Sequence, residues 1–228
     1  MALTAKIVIE RNQLFRGLGT ETIERIAALA TRKTYAEAAV VFMRGDPGDS
    51  LCGVVSGSVR ISASRPGGRE VFLNIMGPGD AFGEIALLDG KPRTATATTL
   101  ARTELIILRR ERFFELLAAE PPLARHLIQL LCERVRWTAQ LMEDSALLGV
   151  PARLAKRLLS LAACFGRDAV NGTKLTISQE ELAQFLGLSR QVVNQHLQSW
   201  KRAGWVSSGR GSIILADVGA LEKLTREA

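Results

Sequence analysis

The strongest constraint on the fold is a stretch near the C-terminal end, TISQEELAQFLGLSRQVVNQHLQSWKRAGW, at residues 176–205. Ser178 is followed three positions later by Glu181, a capping box that predicts the start of a helix. Gly187 is expected to end that helix, and Ser189 is expected to cap a second one. Two short helices joined by a glycine-centred turn of about four residues predict a helix-turn-helix.

The second of these helices carries side chains that suit the edges of DNA bases, because arginine forks onto guanine while glutamine and asparagine pair with adenine. The helix N-termini and their serine hydroxyls suit phosphates. Two β-prone runs around SSGRGS predict a hairpin wing. The residues predicted to contact DNA are Ser178, Ser189, Arg190, Gln191, Asn194, Gln195 and Arg210. The alternative is a solvated polar helix in an all-α packing module.

The charge of the chain favours a polyanionic partner. The 228 residues carry a net charge of +7, with a sequence pI near 9.8. Residues 149–228 hold eleven Lys and Arg against six Asp and Glu, so +5 of this excess lies in the C-terminal third. Double-stranded DNA is therefore the expected partner, ahead of an anionic membrane surface.

Several classes of protein are disfavoured by the sequence. No apolar run reaches the length of a membrane span, and the N-terminal stretch MALTAKIVIERNQLF does not have the pattern of a secretory signal. The three cysteines form no CxxC pair, so we expect no metal and interpret each cysteine as a lone buried thiol in a reducing cytoplasm. Since no Ser–His–Asp set, metal-ligand cluster or Walker loop is present, we expect no enzyme activity.

The sequence pattern in the middle of the chain is typical of an antiparallel β-barrel or β-roll. Between Thr34 and about Leu108, short β-prone runs alternate with turn residues, and glycines recur roughly every ten residues. Helical periodicity precedes this region over about residues 10–30 and returns from Arg109. These patterns predict an α+β fold.

A long helix is expected over residues 121–148, PPLARHLIQLLCERVRWTAQLMEDSALL, because its prolines suit a helix start. A heptad interpretation gives a seam that would pair with a second copy of the chain. The seam consists of Ala124, Leu127, Leu131, Arg134, Thr138, Leu141, Ser145 and Leu148. Gly149 is expected to stop this helix and Pro151 to start the next one.

The stretch FGEIALLDGKPRTATATT, residues 82–99, combines groups that suit a nucleotide with one phosphate charge. Gly83 permits a left-handed backbone, and Glu84–Leu87 can form one helical turn whose free N–H groups bind an anion. Arg93 offers a bidentate fork for phosphate, and Thr94 adds a hydroxyl. The carboxylate of Glu84 suits a sugar hydroxyl. The alternative is a structural Glu–Arg pair that braces a β-turn.

Residues 82–99 resemble the phosphate-binding cassette of cyclic-nucleotide-binding domains. The whole chain is similar, over nearly its full length and in the same order of parts, to the family of the cyclic-AMP receptor protein and the fumarate–nitrate regulator. The domains so expected are a cyclic-nucleotide-binding β-roll at 1–122, a dimerisation helix at 123–148 and a winged helix-turn-helix at 149–228.

The resemblance also implies roles for individual residues. Gly83, the backbone of Glu84, Ile85 and Ala86, and the side chain of Arg93 would hold the cyclic phosphate. Glu84 would take the ribose 2′-hydroxyl, Thr94 would lie at the phosphate or near the base, Arg134 near the pocket, and Thr138 at the purine edge. On the DNA side, Arg190 matches the guanine-reading arginine of the family. Gln191 and Gln195 depart from the family's pattern. We therefore expect a DNA half-site that begins like the family's TGTGA sequence but differs from it at the inner base pairs.

The implied function is a cytoplasmic transcription regulator that acts as a homodimer on pseudo-palindromic DNA, depends on a cyclic nucleotide and contacts RNA polymerase. Cyclic AMP is the expected effector. Cyclic GMP or a dual response is the alternative, since threonine after the cassette arginine is a feature of cyclic-GMP-preferring domains. Two further alternatives are a constitutive regulator with a degenerate pocket and a redox- or haem-sensing member of the same fold.

Overall fold

The computed structural model describes residues 15, 17–64, 70–209 and 211–226. Its contacts divide the chain into two compact units, one formed by residues 1–68 and 73–135 and the other by 69–72 and 136–228. The elements up to residue 119 are α1 (Thr20–Leu29), β1 (Thr31–Tyr35), β2 (Val40–Phe42), β3 (Ser50–Ser56), β4 (Val59–Ser64), β5 (Glu70–Met76), β6 (Ala81–Phe82), α2 (Glu84–Asp89), β7 (Thr96–Thr99), β8 (Thr103–Arg109) and α3 (Arg110–Ala119).

The strands up to β8 form two four-stranded sheets, in the orders β1-β8-β3-β6 and β2-β7-β4-β5. The pairings described for them, among them β3 with β8 and β4 with β7, are antiparallel. The predicted β-roll is therefore confirmed. The helix expected over about residues 10–30 is observed as α1, and the part before Phe15 lies outside the described residues.

Successive side chains along β8 pack on opposite faces of its sheet, because the side-chain period of a strand is two. Leu105 is buried with Val54 and Val59 in a cluster drawn from both sheets. Ile106 and Leu108 belong to a second cluster, which α1, α3 and the start of the next helix cover. The sheet that contains β8 is thus enclosed on both faces.

A long helix, α4 (Pro121–Leu147), follows α3 and contributes residues to both units. Leu123, Leu127 and Leu130 are buried in the helix-covered cluster of the first unit. Leu127 therefore faces the core of its own chain, and the predicted heptad seam is wrong at this position.

Three apolar side chains of α4 that the heptad interpretation did not include are exposed. Ile128, Val135 and Met142 are 61%, 69% and 70% exposed, and they recur every seven residues. Residues spaced by seven lie on one side of a helix, so these three side chains form a stripe. We call Ile128, Val135 and Met142 the α4 stripe.

The second unit continues with α5 (Val150–Phe165), β9 (Arg167–Ala169), β10 (Gly172–Leu175), α6 (Gln179–Leu186), α7 (Arg190–Arg202), β11 (Val206–Gly209), β12 (Ser212–Leu215) and α8 (Val218–Arg226). Its sheet has the order β11-β12-β10-β9. Helices α6 and α7 form the predicted helix-turn-helix, and the antiparallel β11–β12 hairpin forms the predicted wing. The α+β fold, with its roll, long helix and winged helix-turn-helix, is as expected.

The joint between α4 and α5 consists of only two residues, Leu148 and Gly149. Gly149 has an extended backbone (φ −65°) and is the N-cap of α5, so it begins the second helix rather than ending the first. Lys156 Nζ donates to Asp144 Oδ1 at 2.6 Å across this joint, and Arg153 Nη1 donates to Ser145 Oγ at 3.3 Å. These two side-chain contacts tie the end of α4 to the start of α5 within the second unit.

Candidate functional site

The predicted helical turn after Gly83 is present. Gly83 has a left-handed backbone (φ +88°) and is the N-cap of α2, and Leu87 N donates to its carbonyl at 3.3 Å. The N–H groups of the first turn of a helix have no acceptor within the helix. The turn therefore presents the amides of Glu84, Ile85 and Ala86 as donors for an anion.

The loop before β3 packs against this turn. Gly45 N donates to the carbonyl of Arg93 at 2.9 Å, and Arg93 N donates to the carbonyl of Asp46 at 2.8 Å. A Cβ at Gly48 would lie 2.2 Å from the Cβ of Ala86, so glycine is required for this approach. The loop fixes the backbone of the cassette arginine beside the α2 turn.

The Arg93 side chain is buried (4% exposed) and points toward α2. Its Nη1 donates to the carbonyl of Gly83 at 2.9 Å, its Nη2 donates to Ser50 Oγ at 2.9 Å, and its guanidinium lies 4.2 Å from the ring centroid of Phe42. Its Nε is buried and has no hydrogen-bond partner in the described part of the chain. No carboxylate of the described residues pairs with this buried cation.

Glu84 pairs with a different arginine. Its carboxylate is buried, and its Oε1 lies 3.8 Å from Arg134 Nε. Arg134 Nη2 also donates to the carbonyl of Ala81 at 2.9 Å and contacts the sulfur of Met76 at 3.6 Å. The structural Glu–Arg pair considered for residues 84 and 93 is not formed among the described residues, so that alternative is wrong.

The other residues expected at the ligand differ in their surroundings. Ala86 is buried, and Ile85 and Thr94 are exposed. Thr138 lies one turn beyond Arg134 on α4, is exposed, and belongs to the second unit. The first unit thus gathers Gly83, Glu84, Ala86, Arg93 and Arg134 around one helical turn.

The cysteines have two different environments. Burial raises the pKa of the Cys52 thiol to about 12, although the positive charge of Arg93 acts in the opposite direction. Cys52 is thus the inert, buried thiol that was expected. Cys132 and Cys164 are exposed, so the expectation of burial is wrong for both.

Sequence reasoning missed the contacts that orient the two arginines. Phe42 and Ser50 lie far from Arg93 along the chain, and Met76 and Ala81 lie far from Arg134. The folding of the roll and the packing of α4 on it bring these residues together, so local spacing contains no signal for them.

In the helix-turn-helix, both predicted caps are confirmed. Ser178 Oγ accepts from Glu181 N at 3.1 Å, and the Glu181 carboxylate accepts from Ser178 N at 2.8 Å. Ser189 Oγ accepts from Val192 N at 3.3 Å and caps α7. The two caps set the start of α6 and of α7, and with them the direction in which each helix N-terminus points.

The start of α7 lines two clefts. One cleft of about 500 Å³ is bordered by Gln179, Arg190, Gln191 and Asn194. A second, of about 340 Å³, lies between the start of α6 and the β11–β12 wing and includes Ser178 and Arg190. Gln195 is exposed on the next turn, and Arg210 lies outside the described residues. Gln179 was missed because the prediction treated the first position of α6 only as a helix start.

Two further observations limit the chemistry of the described residues. No three His, Cys, Asp or Glu side chains among them come together as a metal site. None of the described helices combines the length and the apolar character that a bilayer crossing requires.

Comparison with known families gives two matches. Residues 32–120 match the model of the cyclic nucleotide-binding domain, and residues 152–224 match the model of the Crp-like helix-turn-helix domain. The two matches cover the roll with its cassette and the unit with the helix-turn-helix. Both domains, like the relatives below, are those of DNA-binding transcription regulators rather than enzymes.

Individual relatives align over almost the whole chain. A CRP-like cAMP-activated global transcriptional regulator of Mycobacterium tuberculosis is 34% identical, with 97% of this chain and 98% of the relative covered. The cyclic AMP receptor protein of Thermus thermophilus is 33% identical, with 92% and 95% covered. Among solved structures, the c-di-GMP responsive global regulator CLP of Xanthomonas campestris has a TM-score of 0.77 at 28% identity, with 86% of this chain and 99% of that chain covered.

Proposed function

Since this chain belongs to the cyclic-AMP receptor/FNR family of transcription regulators, we propose that it is a cytoplasmic, cyclic-AMP-dependent regulator that binds DNA as a homodimer. The single observation that carries the ligand proposal is Arg93. A buried charge is costly unless an opposite charge or several hydrogen bonds compensate it. The partners of this guanidinium are neutral, and its Nε has none in the described region. An anion from outside the chain would supply the missing acceptor.

The chemistry around Arg93 suits a cyclic monophosphate. The cyclic diester carries one negative charge, which the guanidinium and the amides of the α2 turn can share. Glu84 is held beside this turn by Arg134, where its second oxygen can accept from a ribose hydroxyl. Carboxylate, guanidinium and amides therefore account for the sugar and phosphate of one nucleotide.

The choice of base rests on the named relatives and on the family resemblance. Cyclic AMP is favoured because relatives with 34% and 33% identity are named for it. We assign the purine edge to Thr138, as the family resemblance implies. Thr94, exposed after the cassette arginine, is the feature that would favour cyclic GMP. A neighbour in structure is named as responsive to c-di-GMP, so this dinucleotide belongs in the same titration.

For the DNA side, we propose that α7 lies in the major groove with Arg190 on guanine. Its exposed side chains Arg190, Gln191 and Gln195, with Asn194 half-buried behind them, suit base edges. The starts of α6 and α7 and the wing suit phosphates. Two copies would place their recognition helices about one turn of DNA, roughly 34 Å, apart.

For the homodimer, we propose that the α4 stripe pairs with the same stripe of a second copy. Exposed apolar side chains at intervals of seven are the pattern of a helix that packs on another helix. Leu131, half-buried against the core of its own chain, and Thr138 each follow a stripe residue by three positions and would border the seam. This register replaces the predicted one, which included the buried Leu127.

The ligand would act by shifting a population. If cyclic AMP binds mainly the DNA-competent arrangement, it moves the molecule toward that arrangement. A shift from 1:99 to 99:1 requires about 5.5 kcal/mol of differential binding. RNA polymerase would then meet a regulator that occupies its operator only when the nucleotide is present.

The test is DNA affinity with and without nucleotide. A fluorescent duplex with inverted TGTGA half-sites is titrated at fixed salt without nucleotide and with saturating cyclic AMP, cyclic GMP or c-di-GMP. We expect cyclic AMP to tighten binding at least about tenfold, and Arg93→Gln to abolish this response. Arg190→Ala should cost about 1–3 kcal/mol and relax discrimination at one guanine.

Controls separate the alternatives. Unfolding midpoints of Arg93→Gln and Arg190→Ala show whether each variant folds. If the natural chain binds DNA with equal affinity in the absence and in the presence of each nucleotide, nucleotide-dependent DNA binding is contradicted and a constitutive regulator is favoured. An absorbance band above 350 nm in the purified protein would instead favour the haem- or redox-sensing alternative.

A further inference from the structure

The contacts of Ser50 make it a candidate for controlling how Arg93 meets an anion. We propose that Ser50 is a positioning residue: its hydroxyl holds the guanidinium of Arg93 in the orientation that receives the cyclic phosphate. This inference rests on the function proposed above for Arg93. Ser50 itself need not touch the ligand.

The direction of each hydrogen bond at Ser50 is fixed by its neighbours. The hydroxyl donates to Asp49 Oδ1 at 3.1 Å and accepts from Arg93 Nη2 at 2.9 Å. A serine hydroxyl has one proton and two lone pairs. Because Asp49 takes the proton, the lone pairs are left for the guanidinium.

Asp49 is itself held by a second cation. Arg109, the last residue of β8, forms an ion pair with its other carboxylate oxygen, Oδ2. The carboxylate is therefore restrained from both sides, and its orientation determines that of the Ser50 hydroxyl. The chain of contacts runs from Arg109 through Asp49 and Ser50 to Arg93.

Two further contacts complete the restraint on Arg93. The carbonyl of Gly83 accepts from Nη1 at 2.9 Å, and the ring of Phe42 lies 4.2 Å from the guanidinium carbon. One acceptor on each terminal nitrogen and a ring against the guanidinium leave it little freedom to rotate. A binding group held in its bound orientation loses less entropy when the ligand arrives.

Ser50 restrains Arg93 without using up its donors. Guanidinium has five N–H groups, and the contacts to Ser50 and Gly83 account for two of them. The Nε–H and two others are left for an anion. Loss of the hydroxyl should therefore weaken binding, because it removes the restraint. The N–H group that it frees brings no gain, since three other N–H groups are already left for the anion.

The experiment is calorimetric titration of the full-length protein with cyclic AMP. We expect Ser50→Ala to weaken binding about tenfold, the size expected for the loss of one hydrogen bond to a charged group. Ser50→Thr keeps the hydroxyl and suits a strand, so its affinity should stay within about twofold of the natural value. Ser56→Ala, at the other end of β3, is the matched control and should have no effect.

A second comparison shows whether Ser50 acts through the guanidinium. Arg93→Lys keeps the charge but removes the planar fork. In this background, Ser50→Ala should change the affinity by less than about twofold, because the hydroxyl no longer has a fork to orient. A tenfold loss in both backgrounds would mean that Ser50 acts on the site by another route, and would overturn the proposal.

The outcomes separate this inference from the function on which it rests. If the natural chain gives no heat with cyclic AMP, the proposed effector is wrong, and the role of Ser50 is wrong with it. If the natural chain binds and Ser50→Ala binds equally or more tightly, only the positioning role is overturned. Melting temperatures without nucleotide identify any variant whose affinity falls because it does not fold.

Discussion

At Gly83 a single residue serves two needs, a left-handed backbone and room for Arg93. A Cβ at this position would lie 2.6 Å from Arg93 Nη1, and the φ of +88° is unfavourable for any residue with a side chain. Gly45, in the loop that packs on the same turn, has a similar φ of +93° but open space around it. The two glycines therefore separate the backbone cost from the effect on the guanidinium.

We predict that Gly83→Ala and Gly45→Ala lose similar stability but differ in ligand binding. Each should lose about 1–2 kcal/mol of unfolding free energy, because both force alanine into a left-handed backbone. Only Gly83→Ala should displace the Arg93 guanidinium and weaken cyclic AMP binding, by about tenfold or more. Urea denaturation and calorimetric titration measure the two effects. Equal nucleotide affinity in both variants would contradict this assignment.

For α4, the sequence predicted the bounds of the helix but not which of its faces is exposed. Its bounds followed from Pro121, the helical periodicity and the break at Gly149. The seam did not, since both heptad registers contain leucines and only packing against the roll buries Leu127 and leaves Ile128 exposed. A helix that packs on its own domain and on a partner has two apolar faces, and sequence alone does not say which face meets which.

We predict that a charge on the α4 stripe disrupts self-association. Val135→Lys puts an ammonium into the proposed seam and should weaken the dimer at least about tenfold, because it replaces buried apolar surface with a charge. Gln140→Lys puts the same charge on the opposite side of α4, next to Asp144, and should leave the dimer intact. Sedimentation equilibrium measures both. A Val135→Lys dimer as tight as that of the natural chain would show that the stripe is not the seam.

The helix-turn-helix illustrates the opposite case, in which local signals sufficed. Ser178 and Ser189 begin their helices with side-chain caps, and Gly187 ends α6 with a left-handed backbone, so the element could be placed to the residue. The contacts of Phe42 and Ser50 with the Arg93 guanidinium have no such local signal in the sequence. These residues meet only after the strands of the roll have paired, and strand register is a property of the whole sheet.

For the molecule as a whole, we predict a specific loss of stability at alkaline pH. The pKa of Cys52 is about 12 in the folded chain against an ordinary value of 9.0. Above pH 9 the unfolded chain releases this proton while the folded chain keeps it, so deprotonation favours unfolding. The contribution is complete below pH 9 and is lost progressively as the pH rises toward 12.

Cys52→Ala isolates this effect from the other groups that titrate in the same range. At pH 8 the variant should be less stable than the natural chain by about 1 kcal/mol, because it leaves a small cavity. By pH 10.5 ionisation of this thiol in the unfolded state should cost the natural chain about 2 kcal/mol, so the variant should become the more stable of the two by about 1 kcal/mol. Urea denaturation at the two pH values measures the difference. A gap that stays constant with pH would mean that the buried thiol does not control alkaline stability.

The two-residue joint between α4 and α5 has a mechanical consequence. Asp144 is tied to Lys156, and Ser145 to Arg153. These contacts hold the end of α4 and the start of α5 in a fixed orientation, so the joint does not act as a free hinge. Torsion applied to the last turns of α4 would pass directly into α5 and the small domain built on it.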